Sequence, residues 1–68
     1  MSVETLRLLW SVVSETSPEN VAGLSDEALI GSLLSRINSR LCLTLEDQTA
    51  VRSYLGSKRL LIREVIQG

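Results

Sequence analysis

Few residues in this chain have types and spacing that could do chemistry. Two adjacent carboxylate pairs, Asp26-Glu27 and Glu46-Asp47, could share a proton or a cation, and Arg52, Arg59 and Arg63 could gather on phosphate or on an acidic partner. Neighbouring helical residues point about 100° apart, so neither carboxylate pair converges on one atom. Both pairs follow a capping residue and read as first-turn anions that complement a helix dipole. With no His and a single Cys, the chain lacks the raw material for imidazole acid/base work, zinc fingers, disulfide frameworks and hydrolytic triads. Gly23, Gly31, Gly56 and Gly68 stand apart, so no phosphate-cradling loop is present. No Asp-Ser-Leu attachment site opens a helix, which excludes a carrier domain. The expectation is a non-enzymatic protein with no catalytic, cofactor-binding or metal-binding residues.

The elements that must position these residues are helical. Ser2 caps a first helix over 3–15, on which Val3, Leu6, Leu8, Leu9, Trp10, Val12 and Val13 span roughly 220° of circumference. A helix burying one face needs little more than about 100°, so the arc reads as two stripes: Leu6, Leu9, Trp10 and Val13, and on the other side Leu8 and Val12. Ser17-Pro18 followed by Gly23 marks a short connecting helix near 18–22. Ser25 caps a third helix over 26–41, with Leu24 placed to staple against Leu29, and Leu29, Ile30, Leu33, Leu34, Ile37 and Leu41 inside roughly 140°. Arg36 and Arg40 border that arc, where they complement the helix C-terminus and lay their alkyl stems over the core edge.

Thr44 opens the last helix, expected over 45–66, with Val51, Tyr54, Leu55, Leu61, Ile62, Val65 and Ile66 in one arc of roughly 140° if it continues through Gly56. The phase argues for continuity, and Gly56 is the position at which a kink would fall. Lys58 lies inside the apolar arc, where it must snorkel or meet an acid across an interface. The short 41–44 connection makes the third and last helices an antiparallel hairpin. The fold class is therefore all-α: one domain over 1–68, a small bundle of three main helices and one short connector.

Size makes this bundle hard to stabilise alone. At 68 residues, folding hides only about 60% of the unfolded surface, and neither a disulfide nor a metal adds to it. The 22 residues from Leu45 to Ile66 would form a helix about 33 Å long, against roughly 28 Å for a compact globule of this length. Its end should overhang. That overhang and the surplus stripe on the first helix point to a homodimer, with Leu8, Trp10, Val12, Leu61 and Val65 as interface residues. Trp10 reads either as core or as an interface anchor, because an indole N–H needs a partner. Tyr54 is expected to bury its ring and keep its hydroxyl at the core edge.

Charge is unevenly placed. Residues 1–34 carry one Arg and five acids, whereas residues 35–68 carry six basic residues and three acids, so the halves attract. Arg52, Arg59 and Arg63 fall within roughly 40° on a continuous last helix, a row that could bind an anion or nucleic acid. An overall pI of about 5.2 suits a nucleic-acid binder poorly. Cys42, between Leu41 and Leu43, reads as a small core-facing hydrophobe in a reducing compartment. No basic start, apolar run or cleavage site marks a targeting segment, and no stretch is long enough to span a bilayer, which places the protein in the cytoplasm.

The segments Glu4-Thr5-Leu6-Arg7-Leu8-Leu9-Trp10-Ser11-Val12-Val13, Leu24-Ser25-Asp26 and Ser57-Lys58-Arg59-Leu60-Leu61-Ile62-Arg63 resemble a small family of uncharacterised helical proteins from cyanobacteria. The resemblance spans nearly the whole chain and implies a stand-alone bacterial cytoplasmic protein with no known activity.

The leading functional expectation is a helical protein–protein interaction module, a homodimer with a regulatory or adaptor role toward itself or another protein. The alternative is a small nucleic-acid-binding regulator using the last two helices as a helix-turn-helix, or the Arg52, Arg59, Arg63 row. Gln48 is then the sole base-reading amide on the expected recognition helix. Peripheral membrane attachment through the first helix ranks lower, since Glu4 and Glu15 against one Arg suit an anionic surface poorly.

Overall fold

A computed structural model describes all 68 residues. The fold is all-α, with α1 (Val3–Glu15), α2 (Pro18–Val21), α3 (Asp26–Arg40), α4 (Leu45–Ser57) and α5 (Arg59–Gln67). Each of the three main starts is set by the hydroxyl residue before it. Ser2, Ser25 and Thr44 sit in extended backbone, and their side chains accept from the N–H groups of Thr5, Ala28 and Asp47. Each hydroxyl satisfies one of the donors a helix leaves orphaned at its start.

The expected single last helix is divided. Lys58, at φ −107° and ψ 13°, ends α4 and starts α5. Its N–H closes a last bond on the Tyr54 carbonyl at 3.0 Å, and its own carbonyl accepts the first α5 bond, from Ile62, at 2.9 Å. Side chains bond carbonyls around the break: the Arg59 guanidinium donates to the Gly56 carbonyl, which the break frees, at 2.9 Å, and Ser57 Oγ adds a second bond to the Tyr54 carbonyl at 2.9 Å. The break therefore falls two residues beyond Gly56. Apolar phase could not reveal it, because a turn at one residue leaves both flanking stripes intact.

This division removes the overhang. The molecule measures 29 × 19 × 19 Å, and α5 packs back against α1 and α4 instead of projecting past them. It also accounts for the wide apolar arc of α1, which meets two neighbours, α3 and α5. Since α3 also packs on α4, the four longer helices close a ring around one core.

Glu15 at the end of α1 pairs with Arg40 at the end of α3, so these C-termini lie side by side. The chain must then travel back along α3, about 22 Å for its 15 residues, before α3 can begin. The 16–25 segment makes that return, with α2 seating Val21 in the core. Gly23 turns the chain at φ +83°, a conformation that costs other L residues roughly 1–2 kcal/mol. At the α3–α4 connection, Asn38 Oδ1 accepts from the Leu43 N–H at 3.1 Å and Gln48 Nε2 donates to the Leu43 carbonyl at 3.3 Å, so both backbone groups of the turn are held.

The core is aliphatic: Leu9, Val12 and Val13 from α1, Val21 from α2, Leu29, Leu33, Leu34 and Ile37 from α3, Val51 and Leu55 from α4, and Ile62 and Ile66 from α5. Every buried polar side-chain atom has a hydrogen-bond partner. At the end of α1, Thr16 Oγ1 donates to the Val12 carbonyl at 2.8 Å and accepts from Arg36 at 2.9 Å. No helix is long and apolar enough to cross a membrane.

Candidate interaction surface

The exposed apolar residues concentrate on α5. Ile62 and Ile66, one turn apart, face inward, while Leu61 and Val65, also one turn apart, stand about 100° round the helix with 47% and 45% of their surface open. Leu60 is 72% exposed and shares its side of the helix with Glu64. Leu61 and Val65 thus extend the apolar arc of α5 from the buried Ile62 and Ile66 toward its outer side, and Leu60 stands beyond them, with Glu64 between. The remaining large exposed hydrophobics are dispersed: Met1 and Val3 at the start of the chain and Leu45 at the first position of α4. Scattered singles of this kind need no special account.

Of the five residues expected at an interface, Leu61 and Val65 fall together on this outer side. Leu8 and Trp10 are half-buried and packed against the core. Val12 is corrected: at 1% exposure it is a core residue and presents no surface, because α1 is covered on two flanks instead of one. Trp10 finds its polar partner inside the protomer. Its Nε1–H donates to the Tyr54 hydroxyl at 3.2 Å, with the two rings edge to face at 6.3 Å and 85°.

The arginine row does not stand as a free surface. Arg63 donates from Nε to Asp26 Oδ1 at 2.9 Å and from Nη2 to the Leu24 carbonyl at 2.8 Å, and Arg59 Nε lies 3.3 Å from Asp26 Oδ2. Two of the three guanidiniums are thus clamped on the first residue of α3, and Arg52 stays exposed without an ion pair. The row holds only on a continuous helix, and with the break at Lys58 Arg59 and Arg63 reach Asp26 at the start of α3.

All the ion pairs join an acid of the first half to an arginine of the second: Glu15 to Arg40, and Asp26 to Arg59 and Arg63. The opposite charge of the halves was the sequence signal for these pairings, although it could not say which residues meet. Glu15 is gripped at two oxygens, at 2.7 and 3.4 Å, and the hydrogen bond from Arg40, then its charge, hold the Glu15 carboxyl below the usual carboxylate range.

Cys42 is also corrected. It is exposed in the α3–α4 connection, where the half-buried neighbours Leu41 and Leu43 take the inward positions. Lys58 is exposed at the break and pairs with no acid. Asp26, Glu27, Glu46 and Asp47 occupy first turns of α3 and α4 as exposed residues. No group of three or more His, Cys, Asp and Glu side chains is placed to share an ion, and the surface holds no pocket. No protein family, curated protein or solved structure matches the chain.

Proposed function

We propose that the chain is a non-enzymatic helical interaction module that self-associates as a homodimer and serves a regulatory or adaptor role. The observation that carries this reading is the outer side of α5, where Leu60, Leu61 and Val65 remain open next to the core residues Ile62 and Ile66. A small helical protein gains from removing such a stripe from water, at roughly 25 cal/mol per Å² of apolar surface covered. The interface set narrows to Leu60, Leu61 and Val65, with Leu8 and Trp10 as half-buried flanks. The nucleic-acid reading loses support because Asp26 already engages Arg59 and Arg63.

Sedimentation equilibrium across nanomolar to micromolar concentrations tests the reading. The expected result is a reversible dimer, with Leu61→Ser/Val65→Ser shifting the population to monomer while the circular-dichroism spectrum stays helical. A folded wild-type monomer at every concentration overturns it.

A further inference from the structure

We infer that the dimer forms by exchange of α5: α4 and α5 straighten into one helix through Lys58, and each α5 seats on α1 and α3 of the second copy. This rests on the homodimer reading above and names the element that would carry it. Four observations converge on the exchange.

The hinge is a single residue. Lys58 departs from ordinary helical values by about 45° in φ and about 55° in ψ, so turning one residue makes the helix continuous. A continuous helix would also give the first N–H groups of α5 and the last carbonyls of α4 the intrahelical partners that an interruption denies them.

The side chains are already in phase for the straight form. Val51, Tyr54, Leu55, Leu61, Ile62, Val65 and Ile66 share one arc across the break only if the helix is continuous.

The straight form cannot be housed in one copy. Leu45 to Gln67 is 23 residues, about 34 Å as one helix, against a longest dimension of 29 Å. Straightening would pull Ile62 and Ile66 out of the core and bare the flank of α1 that α5 covers.

A second copy supplies the identical vacancy. The partner's Asp26 would receive Arg59 and Arg63, and the partner's α1 would receive Ile62 and Ile66, so the contacts α5 makes on α1 and α3 are remade between chains. Leu60 and Leu61, exposed beside the hinge, lie where the two hinges of an exchanged pair pass each other.

The test uses the unaltered chain. Isotope-labelled and unlabelled protein are unfolded together, refolded and concentrated, and interchain nuclear Overhauser effects are selected by isotope filtering. Exchange predicts that contacts of the Ile62 and Ile66 methyls with α1 appear between chains, whereas the Trp10–Tyr54 contact, which joins α1 to α4, stays within one chain. A dimer whose α5–α1 contacts are all intrachain overturns the exchange and leaves the homodimer standing; a monomer overturns both. Arg59→Pro gives a second reading. Proline at 59 steers Lys58 away from helical values and clashes within a continuous helix, so the variant should weaken dimerisation at least about tenfold while circular dichroism shows that the protein stays helical. Unchanged dimerisation of a folded Arg59→Pro protein counts against a straightened helix.

Discussion

The indole N–H of Trp10 donates to the Tyr54 hydroxyl at 3.2 Å, joining α1 to α4 across 44 positions of sequence. The edge-to-face rings pack against the core, and the polar atoms of both aromatics meet at its margin. Tyr54→Phe keeps the ring and removes the acceptor. Because the site is only half-buried, water can replace part of the bond, and the expected loss is about 0.5–1 kcal/mol in urea unfolding followed by circular dichroism. A loss above about 2 kcal/mol would mean that the hydroxyl does more than accept this one proton.

Arg59 and Arg63 reach the same carboxylate with unequal purchase. Arg63 adds the Leu24 carbonyl and is 23% exposed, whereas Arg59 is 49% exposed. Arg63→Ala should cost about 1–2 kcal/mol, through two charge-assisted bonds and a covered alkyl stem. Arg59→Ala should cost under about 0.5 kcal/mol, as exposed pairs usually do. Equal losses in chemical denaturation would contradict this ranking.

Two glycines should respond with opposite signs. Gly23 holds φ +83°, so Gly23→Ala is expected to destabilise by about 1 kcal/mol, although its Cβ would meet nothing within 4 Å. Gly31 is inside α3, and a Cβ there also meets nothing within 4 Å, so Gly31→Ala should stabilise by about 0.5–1 kcal/mol. Thermal melts of the two variants against wild type provide the comparison.

The Glu15–Arg40 pair sets a pH dependence. The carboxyl pKa is lowered in the folded chain, so the contribution is fully present above the ordinary, unfolded carboxylate pKa and disappears as pH falls through the lower, folded one. Glu15→Gln should be less stable than wild type at neutral pH, and the gap should close in acid, below the carboxylate range. A gap that persists there would show that the glutamate acts through packing instead of charge.

Much of this architecture was legible because capping and periodicity are local. Ser2, Ser25 and Thr44 announced three helix starts, and Pro18 with Gly23 bracketed α2, since each acts on groups within four residues of itself. The turn at Lys58 was not legible, because it depends on what α5 finds on α1 and α3, contacts more than 30 positions away in sequence for Asp26 with Arg63. The same long-range pairing dissolved the arginine row and drew Val12 inward. Leu61 and Val65 emerged together because their one-turn spacing survives the break. Cys42 was misplaced by its apolar neighbours, whose inward positions leave it outside.

The ring closes through α1 and α5, the segments farthest apart along the chain. On the ribosome, α1 through α4 can be synthesised and coiled while the broad greasy flank of the first helix still has no cover. Maturation must wait until residues 59–67 have cleared the exit tunnel. Until then the flank of α1 that α5 covers has no cover of its own from the rest of the chain.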